Sequence, residues 1–558
     1  MRLGKPLLCG SLIASAAVLV AAHADSTGTA VVGARAPADP VFVAAQVDAL
    51  ATATPIKHLV IIYQENVSFD HYFATYPHAT NPDGEPGFTA LPGTPEVNNL
   101  VTARLLTKNP NDTNPANGAN AADPFRLDRT QAATADQNHS YTPEQEAYDG
   151  GRADLFPEYT GHGTSGGVGA FGTQGQVMGY YDGNTVTAEW AYAQHFALGD
   201  NAYTNTYGPS TPGALEVVSG QTNGLHLVAS NYSTFYVNDT QGGLTLINDV
   251  DPGYDVCSST TNQATLEGKN IGDLLNDARI TWGGFMGGFN LKLTNANSTT
   301  GCARSTLSPV VGETVNDYVP HHNWFQYFAS TANPTHARPA SLASIGYSFD
   351  HSGQADPANH EYDLKDFYNA VVAGNFPAVS YVKLDAYQDG HAGYSDPLDE
   401  QAGIVKLINF IEVQPDWHNT AIIVTYDDSD GWYDHAFATP TNPSFDAVAD
   451  QLYGAGNCGT GTPLKGIAGT GPVNGRCGPG TRIPFLVISP WAKPNYVYSA
   501  QITQASVVRF IEDNWLNGKR LGGGAFDAST GSIMPMFNFK GAGNLPLLYL
   551  NPKTGEED

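Results

Sequence analysis

The chain has 558 residues, a formal net charge of −28 and only 14 % charged residues. A negative charge of this size argues against binding nucleic acid or anionic membrane surfaces over most of the protein's face. A phosphate-bearing substrate would therefore have to be held locally, by a metal ion, by histidines or by a helix N-terminus.

The N-terminus has the pattern of an export signal. Arg2 and Lys5 precede an almost wholly apolar run from Leu7 to Ala22, and small residues at a cleavage site follow. A membrane anchor is the alternative, but the run is short and no later stretch reaches the ~18 apolar residues of a membrane span. We predict a signal peptide over residues 1–24, a loose leader over 25–54, and a periplasmic or extracellular location.

Short apolar runs rich in β-branched residues predict buried strands. They are IKHLVIIY (56–63), AVSYVKL (378–384), AIIVTY (421–426) and IPFLVIS (483–489). Apolar residues recur at helical spacing from Ile404 to Ile411, and a further helix is predicted from Val507 to about Trp515. This alternation predicts an α/β fold, with a mostly parallel central sheet covered by helices.

The core strands are not divided by a linker, so the chain is predicted to form a single domain over residues 55–545. Insertions are expected around 228–320 and 454–480, and a tail over 546–558. Of five cysteines, Cys9 lies in the predicted signal peptide. The other four form an even set that is expected to pair in an oxidising compartment: Cys257, Cys302, Cys458 and Cys477. Three pairings are open, and we favour pairing of neighbours because it closes the shortest loops.

Two of the predicted strands end in pairs of oxygen-bearing side chains. Glu65-Asn66 follows the first strand and Asp427-Asp428 follows the third. Ligands of α/β sheets bind beyond the carboxyl ends of strands, where these pairs would meet. Three carboxylates there would repel one another unless a divalent cation lay between them. Each pair alone could instead start a turn or cap a helix. Together they predict one divalent metal ion, with Mg, Ca, Mn and Zn left open.

The segment YGPSTPGA (207–214) predicts the start of a helix, because Pro212 suits a first helical turn. Ser210 would lie at the helix N-terminus, where free N–H groups and the helix dipole stabilise negative charge. Beside a metal ion its hydroxyl can attack phosphorus. The alternative is that Ser210 merely caps the helix.

Motifs in a fixed order over about residues 56–516 resemble the bacterial phosphoesterase family, which unites phospholipases C with certain acid phosphatases. They are ENVSFDHYF (65–73), NHSYTPEQEAYDGG (138–151), YGPSTPGALEVVSG (207–220), HHNWFQY (321–327), YVKLDAYQDGHAGYSDP (381–397), TYDDSDGWYDH (425–435) and RIPFLVISPW (482–491). That family is similar in fold to alkaline phosphatases, so the resemblance implies the same fold here.

The resemblance also implies a role for individual residues. Ser210 would be the nucleophile that takes the phosphoryl group. Four residues would be the metal ligands: Glu65, Asn66, Asp427 and Asp428. Three histidines would hold the phosphate and assist the leaving group: His139, His391 and one of His321 and His322, of which we favour His322. Histidine cations lose their charge above a pKa of about 6.5, so activity is expected to be best in mildly acidic conditions.

Three departures from the phospholipase pattern resemble the acid phosphatase branch. Ser210 and the following Thr211-Pro212-Gly213 stand where phospholipases tend to have Thr and His-Pro-Asn. A common Asp-His-Thr-Ser is absent near Thr503–Ser506, and the extra β-domains of many phospholipases have no counterpart in this sequence. The sequence thus predicts an exported acid phosphatase acting on small phosphomonoesters through a phosphoserine. The alternatives are a phospholipase C-type phosphodiesterase, with phospholipid head groups as substrates, and a non-catalytic metal-stabilised surface protein. Neither nucleic acid nor an integral membrane segment after signal cleavage is expected, and the oligomeric state is left open.

Overall fold

The computed structural model describes residue 47 and residues 50–350, 352–541 and 547–558. Within these residues eight strands form the central sheet. In chain order they are β1 (His58–Gln64), β2 (Ala197–Gly199), β3 (Trp282–Met286), β4 (Glu361–Asp363), β5 (Val379–Lys383), β6 (Thr420–Tyr426), β7 (Phe485–Ile488) and β8 (Tyr496–Tyr498). Their spatial order is β4-β3-β5-β1-β6-β7-β2-β8, and only β7 runs antiparallel to its neighbours. The predicted α/β class with a mostly parallel sheet is confirmed.

The four predicted strands are present as β1, β5, β6 and β7. Every residue of β1 and β6 is buried, so the sheet is covered on both of its faces there. β1 and β6 pair in parallel from His58 with Thr420 to Gln64 with Tyr426. Because the two strands end at the same level, the residues that follow them leave the sheet side by side.

The shorter strands escaped prediction, and one of them corrects the proposed insertion at 228–320. β3 lies inside that range and is hydrogen-bonded between β4 and β5, so the range contributes to the core. Its sequence, WGGFM, has two glycines and no β-branched residue, which is why it lacks the signature of a buried strand. Residues 454–480, all described, contain no helix or strand.

The α-helices of the described chain are α1 (Phe69–Phe73), α2 (Leu100–Ala103), α3 (Pro110–Thr113), α4 (Tyr141–Tyr148), α5 (Phe156–Tyr159), α6 (Thr187–His195), α7 (Ser210–Ser219), α8 (Ile271–Ala278), α9 (Leu364–Val372), α10 (Pro397–Glu412) and α11 (Ala505–Trp515). The two predicted helices correspond to α10 and α11. α7 packs against α11. The hydroxyls of Tyr63 and Tyr381 donate to carbonyls of α7, which fixes that helix over β1 and β5. No helix in the described ranges combines the length and apolar character needed to cross a bilayer.

Small sheets and two disulfides stabilise the loops around this core. The short strands are Leu225–Ser230 with Asn262–Leu266 and Asp251–Pro252, Ser305–Leu307 with Thr314–Asn316, Ala202–Tyr203 with Ile502–Thr503, Phe125–Arg126 with Gly179–Tyr180, and Tyr236–Asn238 with Leu244–Leu246. The disulfides join Cys257 to Cys302 and Cys458 to Cys477, with Cα–Cα distances of 5.3 and 5.9 Å. The favoured pairing of neighbouring cysteines is therefore confirmed.

Of the two predicted terminal segments, the C-terminal tail is the one that the structure largely describes. The predicted signal peptide and most of the leader lie outside the described residues. The segment predicted as a tail packs back on the domain: Leu550 is fully buried, and its backbone N–H and carbonyl both bond to the side chain of Asn409 in α10. The last residues thus help to cover α10.

Candidate active site

The loops after β1 and β6 bring the two predicted acidic pairs together. One carboxylate oxygen of Asp427, Oδ1, accepts hydrogen bonds from the backbone N–H of Asn66 at 3.0 Å and from that of Asp428 at 2.8 Å. Asn66 has a φ of 51°, a left-handed conformation that asparagine tolerates better than most residues. Glu65, Asn66, Asp427 and Asp428 are each at most 1 % exposed. The four predicted ligands therefore form one buried cluster.

The second oxygen of Asp427 distinguishes this cluster from an ordinary turn. The turn expected as a structural alternative exists, but it uses only Oδ1, and the buried Oδ2 has no hydrogen-bond partner. Burial, then repulsion by Glu65, raises the pKa of Asp427 to about 7. Burial, then Asp427, raises the pKa of Asp428 well above its usual value. A buried acceptor without a donor and two carboxyls with raised pKa values fit the binding of a cation at this cluster.

Ser210 lies against these carboxylates. It is the first residue of α7, Pro209 is the N-cap, and the helix N-terminus receives no side-chain cap, so the capping alternative for Ser210 is wrong. The Ser210 hydroxyl donates to Glu65 Oε2 at 2.9 Å and lies 3.3 Å from Asp428 Oδ2. A Cβ on Gly213 would lie 2.3 Å from the Asp427 carbonyl oxygen. Only glycine at that position lets the first turn of α7 approach the end of β6.

The amide of Asn66 bridges the carboxylates and two predicted histidines. With its nitrogen turned to the carboxylates, it donates to Glu65 Oε2 at 2.8 Å and to Asp427 Oδ1 at 3.0 Å. Its oxygen then accepts from Nε2 of His391 at 3.0 Å and of His139 at 3.3 Å. With the amide turned the other way, oxygen faces the carboxylate oxygens, an arrangement that needs a cation between them. The same side chain can thus act as a donor or as a metal ligand.

His139 and His391 lie at the mouth of the cluster, with ring centroids 5.7 Å apart. Burial alone would lower the pKa of His139, but the carboxylates of Asp136, Asp249 and Glu144 and the carbonyl of Gln137 together outweigh it and raise the pKa above the usual value. Burial lowers the pKa of His391. The expectation that histidine cations hold the phosphate therefore fits the raised pKa of His139 better than the lowered pKa of His391.

The structure separates the two adjacent histidines. His322 is 2 % exposed, and its Nδ1 lies 3.2 Å from Glu65 Oε1. His321 is at the surface and pairs with Asp251 at 3.4 Å. Burial, followed by the neighbouring charges, lowers the pKa of His322 well below its usual value. Burial opposes the charge of His321, but Asp251, Asp249 and Glu65 together outweigh it and raise the pKa to about 9. The geometry favours His322, whose role stays a prediction.

Sequence reasoning missed Lys383 and Asp389. Lys383 is the last residue of β5, and its ammonium contacts Glu65 Oε1. Asp389 is fully buried, accepts from the Tyr394 hydroxyl at 3.0 Å, and lies 3.8 Å from His322 Nδ1. The rule that located the acidic pairs, namely attention to strand ends, would have found Lys383 had it been applied to the strand predicted at 378–384.

A cavity of about 400 Å³ opens beside His139. Among the residues that line it are Asp136, His139, His162, Tyr232, Phe235 and Asp249. Its lining contains histidines, carboxylates, amides and two aromatic rings but no lysine or arginine. The cavity thus adjoins His139, one of the histidines predicted to hold phosphate.

A family model described as the phosphoesterase family matches residues 56–516. The chain belongs to this family. Phosphoesterase family membership makes it a hydrolase of phosphoric ester bonds and implies a metal ion, and the alternative of a non-catalytic surface protein is not retained. The unpartnered oxygen of Asp427 and the all-oxygen donor set around it fit such an ion.

Several curated members of the phosphoesterase family are similar to the chain at low identity. Phospholipase C A of Mycobacterium tuberculosis is 24 % identical over 465 residues, which cover 82 % of this chain and 72 % of that protein. Phospholipase C B of the same organism is 25 % identical over 510 residues, covering 87 % and 78 %. The non-hemolytic phospholipase C of Burkholderia pseudomallei is 24 % identical over 479 residues, covering 83 % of this chain and 55 % of that protein.

Solved structures were also compared with the chain. A phosphonate monoester hydrolase from Silicibacter pomeroyi aligns over 67 % of this chain and 72 % of its own, with 11 % identity and a TM-score of 0.26. A mutant of the alkaline phosphatase PafA aligns over 62 % and 93 %, with 9 % identity and a TM-score of 0.30. The fold class rests on the strand order of the sheet itself.

Proposed function

We propose that the protein is a metal-dependent acid phosphatase that hydrolyses phosphomonoesters through a phosphoserine at Ser210. The observation that carries the proposal is the position of Ser210 Oγ, 2.9 Å from Glu65 Oε2 at the N-terminus of α7. That position combines a buried hydroxyl, a cluster of carboxylates and the positive end of a helix dipole. Each is a requirement for nucleophilic attack on a phosphate.

The cation would be held by oxygens of Glu65, Asn66, Asp427 and Asp428. Carboxylate and amide oxygens favour a hard divalent ion such as Mg²⁺, Mn²⁺ or Ca²⁺, and zinc also accepts them. Once bound, the ion supplies Lewis acidity and neutralises the carboxylates that would otherwise repel a phosphate. Its identity is left to metal analysis of the purified protein.

The chemistry of the chain's own residues follows from their positions. Ser210 Oγ passes its proton to Glu65 Oε2, the acceptor of its hydrogen bond, and attacks phosphorus, so that an O–P bond forms to serine and the P–O bond to the leaving alcohol breaks. The proton returns to Ser210 when the phosphoserine is hydrolysed. His139, whose pKa is raised, holds a phosphate oxygen or donates a proton to the leaving oxygen. Water then attacks the phosphoserine, which restores the hydroxyl and releases inorganic phosphate. The N-terminus of α7 stabilises charge on the phosphoryl oxygens in both steps.

The preference for monoesters rests on the residues around the nucleophile. Ser210-Thr211-Pro212-Gly213 resembles the acid phosphatase branch, and Gly213 is required by the close approach of α7 to β6. Phospholipase C-type hydrolysis of phosphodiesters is the second candidate, because the similar curated proteins named above are called phospholipases C. Both candidates use the same nucleophile and differ in the second ester group.

Two matched substrates divide these candidates. We expect p-nitrophenyl phosphate to be hydrolysed with a higher kcat/KM than p-nitrophenyl phosphorylcholine, and activity to be highest in mildly acidic buffer. The reverse ratio would assign the protein to the phospholipase C type. Rapid acid quenching during turnover should give a chain heavier by one phosphoryl group, as measured by intact mass.

A variant of the nucleophile tests the mechanism. Ser210→Ala should lose the phosphoenzyme and lower kcat by at least about 10⁴-fold, the scale seen when a covalent nucleophile is removed. Ser219→Ala is the matched control, since Ser219 lies at the opposite end of α7 and bonds only to local carbonyls. A phosphoenzyme that persists in Ser210→Ala would show that another residue is the nucleophile.

Export is part of the proposal. The two disulfides support it, because such bonds persist in oxidising compartments. N-terminal sequencing of the protein recovered from culture medium or periplasm should begin after Ala24. Recovery of full-length chain from the cytoplasm alone would contradict it.

A further inference from the structure

Lys383 contacts one of the two carboxylate oxygens of Glu65, a predicted metal ligand. Its side chain is 1 % exposed, and its ammonium contacts Glu65 Oε1. The other oxygen of that carboxylate, Oε2, accepts from Ser210. Glu65 is thus shared between a fixed cation on one side and the proposed metal and nucleophile on the other.

The ammonium is the counter-charge of an acidic pocket. The carboxylates of this pocket include Glu65, Asp427 and Asp389, each at most 1 % exposed. Among the ion pairs of the described residues, no other lysine or arginine reaches these carboxylates. Four buried carboxylates, counting Asp428, are therefore accompanied by one lysine and no arginine among the described residues, and that lysine contacts Glu65.

A second divalent ion bound beside Glu65 Oε1 would lie among the same carboxylates as the Lys383 ammonium. Sites of phosphoryl transfer with two metal ions place them about 3.5–4 Å apart, with oxygen ligands shared between them. Here Glu65 Oε2 accepts from Ser210, while Oε1 contacts Lys383 and lies 3.2 Å from His322 Nδ1, which is itself 3.8 Å from Asp389 Oδ2. The lysine occupies the space and supplies the charge that a second ion would otherwise provide.

We propose that the ammonium of Lys383 stands in for a second metal ion, so that this centre binds one divalent ion and keeps Glu65 as its one-oxygen ligand. The inference rests on the proposed function, because it concerns the same metal centre. Lys383 is a positioning residue in this view: it acts on the substrate only through Glu65 and the ion. A purely structural lysine would not set the number of ions.

Metal counting tests this directly. Wild-type protein and Lys383→Ala are loaded with excess Mn²⁺, desalted, and analysed for metal per chain. We expect about one ion in wild type and about two in Lys383→Ala, with the close pair of ions visible as spin coupling in the Mn²⁺ EPR spectrum. Lys365→Ala, which removes an exposed lysine of α9, should remain at the wild-type count.

A double variant separates charge from packing. Lys383→Ala combined with Asp389→Asn removes one carboxylate together with the ammonium and should return the count to that of wild type. Methylammonium added to Lys383→Ala should also displace the second ion. If Lys383→Ala does not fold even in Mn²⁺, Lys383→Ser, which leaves a hydroxyl in the same space, is expected to show the same gain.

The outcomes distinguish this inference from the proposed function. One ion in Lys383→Ala, bound as tightly as in wild type, would overturn the inference while leaving metal-dependent hydrolysis intact. Loss of all metal in Lys383→Ala would also overturn it, because the lysine would then only order Glu65. A wild-type protein that binds no Mn²⁺ and hydrolyses p-nitrophenyl phosphate in chelator would refute the proposed metal centre itself.

Discussion

The loops after β1 and β6 each supply carboxylates to two buried clusters that differ in their counter-charge. In the cluster of Asp70 and Asp434, Arg482 donates to Asp70 Oδ1 at 3.1 Å and to Asp434 Oδ1 at 3.0 Å, and His435 also contacts Asp70. In the active-site cluster Lys383 is the one lysine or arginine of the described residues that pairs with a carboxylate, and Asp427 Oδ2 has no hydrogen-bond partner.

The difference shows that converging acids do not by themselves make a metal site. Ligand atoms of Asp70, Asp434 and His435 lie within 4.8 Å of one another, close enough to surround an ion. Arg482 already fills that place with a guanidinium, which satisfies both carboxylates geometrically. The active-site cluster differs because, among the described residues, no arginine pairs with its carboxylates.

The largest difference expected between the two clusters comes from removing one carboxylate from each. Asp428→Asn should lower bound metal and reduce kcat/KM for p-nitrophenyl phosphate by about 10³-fold, the scale of several kcal/mol of lost electrostatic stabilisation. Asp434→Asn should keep the wild-type metal content. Metal analysis beside the kinetics checks both, and equal loss of metal in the two variants would contradict the distinction.

The next effect concerns the cluster of Asp70 and Asp434, from which the positive charge of Arg482 is removed. Arg482→Met removes the guanidinium that pairs with both buried carboxylates, Asp70 and Asp434, which should lower the free energy of unfolding by about 3–5 kcal/mol. Urea unfolding at neutral pH measures it, with Lys406→Met, an exposed position on α10, as a control expected to change by less than about 0.5 kcal/mol. A change near that of the control would mean that Arg482 does not compensate the pair.

Local patterns were enough to predict the core and the position of the acidic pairs. β1 and β6 are continuous apolar runs, and the residues that follow such strands must leave the sheet at its carboxyl edge. The start of α7 was predicted from Pro212, although Pro209 and not Ser210 is the N-cap. These features depend on residues close together in the chain.

What could not be predicted depends on residues far apart. Arg482 and Asp70 are 412 positions apart, and Lys383 and Glu65 are 318 apart, so no spacing announces either pair. β3, with two glycines and no β-branched residue, carries no strand signature, and its pairing with β4 and β5 holds it in the sheet. Tertiary packing alone determines which buried carboxylates have an arginine as counter-charge and which do not.

A smaller effect separates the adjacent histidines. His322→Asn should lower kcat/KM by about 10²-fold, the usual scale for a positioned proton-transfer or phosphate-holding group. His321→Asn should change it by less than about 10-fold, because His321 pairs with Asp251 at the surface. Steady-state kinetics with p-nitrophenyl phosphate checks the order, and a larger loss in His321→Asn would exchange the two assignments.

The smallest effect is a pH dependence of stability that metal should cancel. Asp427 has an ordinary pKa of 3.8 and a folded pKa of about 7, so its contribution to stability is present at low pH and is lost as pH rises from about 4 to 7. Asp70 behaves oppositely: burial opposes its ionisation, but His435 and Arg482 lower its pKa. Protein treated with chelator should therefore melt about 2–4 °C lower at pH 8 than at pH 5.

Other buried acids that lie outside the proposed metal centre also have raised pKa values. Burial raises the pKa of Glu216 to about 8, so part of the decline with pH will remain in the presence of metal. The part that Mn²⁺ removes belongs to the active-site cluster, since the ion binds the ionised carboxylates and gains affinity as they lose protons. Asp427→Asn should abolish that metal-dependent part. Melting curves at fixed scan rate, with and without Mn²⁺ at each pH, measure it, and a decline that Mn²⁺ leaves unchanged would place the titrating acids outside this cluster.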